Sequence, residues 1–489
     1  LAKDIPKSNG YVQLHSDAES EEAYRFIDAQ KRKVLRKKWH INGLKPKERA
    51  RHRRAVEKII RREKKYDQRR ARLTRDELVM LLRDKRSSLV MDHLFPDRNR
   101  PGRWIKYEDR RMAADGEPFD IDLSGFSLLD NPHGCIQGLA NIAEHEASSS
   151  SVQINFKDKY CLDVVPYMLL TEFWNDMLPV FQGGEMDVPM QKVLGSIGIA
   201  EDLNVGLRGV RDFDDVWAFP LTRRRRDGGS KSRSIYFDVP SRDHASDRFC
   251  DALDEWLNRD EIQLQLTQAG RGHIKVLLGE LLENAERHSD GNRRDGSWTV
   301  AGFLAKRRVY EDDEFIAHIG IVSLGDTFAD SLERASDQQK QDLDDFLNCM
   351  RAARAPQSAA TLKTLAALQD GVTCVPEADK ADRGGYGLMQ MLELTNLLGW
   401  SENDNLKPEI TIVSGTSCVQ LKSPYFECYQ PAGADTARVQ WCNADNSARM
   451  APDPNHVFDL EKGLPGTAIS IRFTLDPQYL QKMMDNLEQ

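Results

Sequence analysis

Apolar residues recur at helical spacing in some stretches of the chain and at alternate positions in others, and the two periods mark out the expected elements. From Gly272 the sequence GHIKVLLGELLENAERHS sets Ile274, Leu277, Leu278, Leu281 and Leu282 on one helical stripe. Residues 135–147 and 338–353 follow the same period, as does 389–398, which lies directly behind the glycine-rich RGGYGL. The stretches VQINF (152–156), AHIGIV (317–322), EITIV (409–413) and AISIRFTL (468–475) read as strands. Ser-Gly-Thr-Ser between 409–413 and 419–422 predicts a hairpin. The apolar run 164–170, entered from Asp163, predicts a helix reaching about residue 178. Residues 46–83 predict one long helix or two, with apolar positions sparse before Leu73, so the first half is expected to project or to lie on a partner.

A chain of 489 residues is too long for one ordinary core. Turn-rich sequence at 95–120 and the arginine-, glycine- and serine-rich LTRRRRDGGSKSRS at 221–234 suggest where it divides. The expected order is a basic, mainly helical region (1–115), a small α/β domain (116–220), an exposed basic linker (221–238) and a C-terminal domain (239–489), which makes an α+β protein. Hydrophobic residues at 40% and charged ones at 30% fit a soluble globular chain. No apolar run approaches the roughly 18 residues of a bilayer span. The N-terminal sequence lacks the apolar core of a secretory signal, so a cytoplasmic protein without membrane association is expected. The eight cysteines form no CxxC and the eleven histidines no HExxH, so reduced thiols and no protein-ligated transition metal are expected.

Charge changes the picture at one place. Residues 31–75 hold 21 Lys and Arg against 4 acids, in a chain whose net charge is -8. Such a segment draws nucleic acid or another polyanion through phosphate contacts. The alternative is docking on the acidic remainder of the chain or on a protein partner.

The chemistry-bearing residues lie in the C-terminal half. Glu280 and Asn284 are four apart on the expected helix and therefore share a face. An Asn oxygen there can ligate Mg²⁺ at a triphosphate, and the Glu can deprotonate an attacking water. An exposed helix face carrying the two residues by chance is the plain alternative.

GELLENAERHS resembles the N-box of the GHKL superfamily, which includes gyrase B, heat-shock chaperones, histidine kinases and anti-sigma serine kinases. The resemblance implies a Bergerat-type fold, an α/β two-layer sandwich, over about 240–475 of the C-terminal domain, with ATP and Mg²⁺ as ligands. Glu280 is then the general base and Asn284 the metal ligand, and His288, followed by Ser289, is similar to the NAxxH ending of the anti-sigma kinase branch. SLGDTF at 323–328 occupies the place of the family's DxGxG, with Ser323 for the adenine-binding Asp, Gly325 retained, and Thr327 for the second Gly. RGGYGL is similar to the G2 box, which implies phosphate contacts from Gly384, Gly385, Tyr386, Gly387 and Leu388. Thr467, entering the last strand, is the remaining nucleotide candidate. Residues 326–382 correspond to the ATP lid, and their Arg351, Arg354 and Lys363 are cations within the segment that closes. A loop-to-helix turn and an ordinary strand are the structural alternatives for RGGYGL and Thr467.

The strand at 152–156, the loop with Asp163 and the apolar helix behind it resemble STAS-like domains, which implies a partner-binding loop. DVVPYMLL follows, with no Ser after the Asp, so no phosphorylation site carries over. The leading expectation is an ATP-operated switch with slow hydrolysis, signalling by lid closure or by pairing as a homodimer. A protein serine kinase of the anti-sigma type and a non-catalytic nucleotide-binding scaffold are the alternatives. The histidine-kinase version lacks a phosphoacceptor helix followed by Pro in SRDHASDRFCDALDEW.

Overall fold

The computed structural model describes residues 89–94, 117–149, 151–177, 180–203, 210, 216–224, 242–260, 263, 265–288, 297–309, 312–372, 387–399, 407–427 and 438–475. The basic segment 31–75, the helix expected over 46–83 and the linker from 225 onward lie outside the described residues. The chain is of mixed α+β class and divides into two compact units.

Of the described residues, the smaller unit comprises those within 89–94, 117–122, 140–155 and 172–184. Its three-stranded sheet has the order β1 (Phe119–Leu123), β2 (Val152–Phe156), β3 (Phe181–Gly183), with β2 and β3 parallel. Helix α1 (Leu89–Leu94) and the C-terminal parts of α2 (Pro132–Ser148) and α3 (Val165–Met177) belong to it. Aromatic pairs fasten helices to strands, Phe119 with His145 at 5.3 Å between centroids and Trp174 with Phe181 at 4.8 Å. Strand 152–156 and the helices expected near 135–147 and 164–178 are β2, α2 and α3.

The larger unit holds 123–139, 156–171 and the chain from 185 on. After α4 (Val188–Ser196) and α5 (Ile199–Asp202) come β4 (Val216–Arg224), α6 (Arg242–Leu257), α7 (Gln268–His288), β5 (Ser297–Val309) and β6 (Asp312–Leu324). Next are α8 (Phe328–Leu332), α9 (Asp337–Ala352), α10 (Ala359–Ala367) and α11 (Gly387–Gly399), then β7 (Glu409–Ser414), β8 (Ser417–Leu421), β9 (Val457–Asp459) and β10 (Gly466–Leu475). The strands form one sheet of order β4-β5-β6-β10-β7-β8-β9, antiparallel at every pairing. The helix N-termini are written in the sequence: the Ser336 and Ser358 hydroxyls accept from the amides of Gln339 and Thr361, and Thr327 with Asp330 forms a capping box for α8.

One face of this sheet carries the main apolar core, in which Val300, Ile321, Ile469, Ile412 and Val419 pack with Phe249 of α6, Leu278 of α7 and Met391 of α11. The other face is covered by 123–139 and 156–171, parts of the region expected as a separate α/β domain. A Cβ on Gly320 of β6 would lie 2.7 Å from Met168 Sδ and from Val164, so the glycine allows that close approach. Gln420 Nε2 donates to the Leu129 carbonyl at 2.7 Å, and the Arg472 guanidinium reaches Asp130 and Glu409 at 3.0 and 2.8 Å. Among the described residues no helix is long and apolar enough to cross a membrane.

Candidate functional site

Strand register decides which residues meet. One transverse row of the large sheet reads Arg224, Trp298, Ser323, Thr467, Ser414, Ser417 and Asp459, each the Cα partner of the next. Every side chain in it can hydrogen-bond. Two residues further in along each strand the row reads Thr222, Val300, Ile321, Ile469, Ile412, Val419 and Val457. Alternate residues share a face, so both rows lie on the side that the helices cover. The helices bury the inner, apolar row, and the outer row ends the face in polar groups.

Two residues singled out from the sequence, Ser323 and Thr467, are therefore direct cross-strand neighbours. Thr467 Oγ1 and Ser414 Oγ are 2.8 Å apart, and Ser414 Oγ also accepts from the Phe328 amide at 2.9 Å, which ties the start of α8 to the row. At the far end Asp459 accepts from the Ser358 amide at 2.8 Å and the Thr361 hydroxyl at 2.6 Å, which anchors α10. Ser417 Oγ is fully buried and has no hydrogen-bond partner among the described residues. A buried hydroxyl left so costs about 1–3 kcal/mol.

Gly325 lies just beyond Ser323 with φ 136°, and its amide donates to the Pro465 carbonyl at 2.9 Å. Across from it Gly466 has φ 127°, and a Cβ there would lie 2.1 Å from the Ser323 carbonyl oxygen. Gly466 thus serves a close pass between two chain segments, and the positive φ of Gly325 is one that glycine adopts readily.

Helix α7 runs toward the polar row with its C-terminal half. Ile274, Leu278 and Leu281 line an apolar void of about 30 Å³ together with Ile319, Ile471 and Phe473, deep in the core. Further along, Glu286 accepts from Trp298 Nε1 at 2.9 Å and from Arg224 Nη1 at 2.8 Å, both members of the row. Asn284 lies between these two points on the helix, Glu280 falls within the stretch that borders the void, and His288 is its last residue. Across α7 and α6, Arg271 pairs with Asp251 and Asp254, and Lys275 with Asp247.

Helix α11 is oriented the other way. A Cβ on Gly399, its last residue, would lie 2.4 Å from Phe473 Cβ, and Met391 and Leu394 border the same void. Thirteen helical residues span about 20 Å, and the strand from Phe473 to Thr467 covers about the same length. The first turn of α11, which begins at Gly387 and Leu388, is therefore directed toward the row. Gly384, Gly385 and Tyr386 lie outside the described residues.

The described part of the expected lid, 326–372, is folded. Helix α9 matches the helix expected at 338–353, and α10 buries Leu362 and Leu365. Gln357 Nε2 donates to the carbonyls of Pro452 and Val457 at 3.2 and 2.9 Å. Lys363 pairs with Glu333, and Arg351 donates to Asn348 Oδ1 at 2.7 Å, so two of the three lid cations have local partners. Arg438 joins the buried side chain of Asp370 at 2.7 Å to Glu393 of α11 at 2.5 Å, which ties the end of this segment to α11.

Sequence reasoning did not find Trp298, Glu286, Ser414 or Ser417. The two serines stood in plain view as hairpin residues, but only the register assigns them to the row of Ser323 and Thr467. Compared with family models, with curated proteins and with solved structures, the chain has no significant match in any of the three.

Proposed function

We propose that residues 239–475 form a Mg-ATP-binding domain of GHKL type whose nucleotide state acts as a conformational switch, with slow hydrolysis assisted by Glu280. The reading is carried by one convergence. The C-terminal half of α7, the Ser323–Thr467 pair and the first turn of α11 all lie toward one end of one sheet face. They occur in the chain order of the motifs that suggested the site.

A bound nucleotide supplies a metal-bridged triphosphate and an adenine ring. Toward it Asn284 would offer a carboxamide oxygen as metal ligand, and Glu280 would orient and deprotonate water. The amides of Gly385 and Gly387, with the positive end of α11, suit phosphate oxygens. Ser323 and Thr467 suit the adenine edge, Ser323 as a neutral acceptor with about half the strength of a carboxylate. The tie from Asp370 through Arg438 to Glu393 is the route by which a change at α11 would reach 326–372.

A second reading, a scaffold without catalysis, is favoured by the bond between Thr467 and Ser414 and by the close pass at Gly466, which explain these residues without a ligand. Calorimetric titration of the full chain with Mg-ATP and Mg-GTP, followed by tracing of a labelled γ-phosphate, separates the readings. Binding with release of free phosphate supports the switch; label on protein indicates the serine-kinase alternative; binding without turnover indicates the scaffold. Glu280→Ala should keep binding and lower hydrolysis by about 10²–10⁴, and Asn284→Ala should lose both. No heat with either nucleotide overturns the proposal.

A further inference from the structure

We infer that Glu286 is a positioning residue that sets the height of α7 over the polar row, and with it the placement of Glu280 and Asn284; the inference rests on the Mg-ATP reading above. Its carboxylate, 15% exposed, receives three donors from three elements: Arg224 Nη1 of β4 at 2.8 Å, Trp298 Nε1 of β5 at 2.9 Å and Arg242 Nε of α6 at 3.5 Å. Arg242 also pairs with Glu283, one turn earlier on α7. The indole of Trp298 is buried, and a buried N–H requires an acceptor. Removing the carboxylate would strand that donor and take from the largely buried Arg224 guanidinium its ion pair with α7. A carboxylate satisfied from three directions in a low-dielectric setting holds its helix far more stiffly than apolar contact does.

The position of this knot on the helix matters. At about 100° per residue, positions 275 and 286 fall on one flank of α7, where Lys275 meets Asp247 of α6. Positions 280, 284 and 288 fall on another flank, with 286 turned about 200° from 284. Glu286 therefore fastens the helix from the side away from the residues assigned to the ligand.

The test uses the full chain with Glu286→Ala and Glu286→Gln, titrated with ADP in EDTA and with a non-hydrolysable ATP analogue in Mg²⁺. On that reading contacts to adenine come from the sheet and contacts to phosphate from the first turn of α11, whereas the metal contact depends on α7. The Ala variant should keep its ADP affinity within about twofold while the Mg²⁺-dependent gain in affinity and the turnover fall about 10- to 100-fold, the usual cost of losing a partner that orients a metal ligand. Gln, whose Oε1 still accepts from Trp298, should restore most of the gain. Tryptophan emission should shift to the blue in the Ala variant only, a change absent when Trp298→Phe is the background. A folded Ala variant with an unchanged Mg²⁺ gain overturns the inference, as does equal weakening of both nucleotides. Should the Ala variant fail to fold, Arg242→Gln removes the longest of the three contacts together with the pair to Glu283, both of which hold α7, and an undiminished Mg²⁺ gain in it overturns the inference too. Failure of the unmodified chain to bind either nucleotide overturns the Mg-ATP reading, and the role of Glu286 falls with it.

Discussion

Asp163 Oδ1 accepts a hydrogen bond from Ser470 Oγ at 2.6 Å, so a carboxylate from the loop behind β2 is held on the central strand of the large sheet. The same carboxylate accepts from the Val165 amide at 2.9 Å and the Leu128 amide at 2.8 Å, and it is fully buried. Burial pushes its pKa up to about 6 against the pull of these three bonds, and Asp130 nearby adds to the rise. One strand position further on the same face, Arg472 binds Asp130. Together they form a polar clasp that fastens 123–130 and 163–168 to β10.

The clasp should give stability a pH signature. The folded-state pKa of Asp163 lies above its ordinary value of 3.8, so the folded protein takes up the proton first. Its stabilising contribution is present at low pH and is lost as pH rises through about 6, amounting to at most about 3 kcal/mol. In Asp163→Asn that dependence should vanish, while the new amide NH₂ faces the Leu128 N–H and costs about 1–3 kcal/mol. Urea denaturation of both proteins at pH 5 and pH 7 checks it: the gap between them should be wider at pH 5. Equal gaps would mean that Asp163 does not titrate in this range.

Arg472→Met should destabilise the chain by about 1–3 kcal/mol, because Glu409 and Asp130 lose their shared cation. The figure is set below that of a fully buried pair because Asp130 is partly exposed. A double-mutant cycle with Asp130→Asn in urea should return a coupling of the same sign. Additive effects would show that the pair contributes no more than solvated charges.

Two glycines should respond in opposite directions. Gly466→Ala puts a Cβ 2.1 Å from a backbone oxygen at φ 127°, and a loss of at least about 3 kcal/mol, or failure to fold, is expected. Gly279 sits inside α7 with nothing within 4 Å of an added Cβ. Gly279→Ala should therefore raise stability by about 0.5–1 kcal/mol. Thermal melting of both variants reads this directly, and a destabilised Gly279→Ala would contradict the open space beside α7.

At position 323 an acid can be restored. On the Mg-ATP reading Ser323→Asp would supply a charged acceptor to the adenine amino group, and Mg-ATP affinity should rise about tenfold relative to Mg-GTP. Titration with both nucleotides measures the ratio. If the ratio does not move in a folded variant, Ser323 does not touch the base.

Much of the architecture is legible in the sequence where one face of an element is buried. VQINF is β2 residue for residue, and the helices expected near 135–147, 272–288 and 338–353 are α2, α7 and α9. Strand β5 escapes the same reasoning because Trp298 to Ala305 are buried without interruption, so no alternation signals a strand. Strand β4 escapes for another reason: Pro220 and the first arginines of the 223–226 run read as linker. Here the strand is an edge, its register shifts between Phe219 and Thr222 where the proline falls, and Arg223 and Arg224 find Asp202 and Glu286. The candidate site is legible in its residue types, Ser323 and Thr467 above all. That they are neighbours depends on pairings between distant strands, which no local pattern encodes.

Strand β10 is addressed from both sides. Thr467, Ile469, Ile471 and Phe473 face the helices, and Ser470 and Arg472 face the clasp. A slip of one residue would carry the serine and the guanidinium into the apolar layer and press isoleucines against Asp163 and Asp130. Either side alone would oppose that slip; together they make the alignment of the central strand a double lock, so that errors introduced on one face are still corrected from the other.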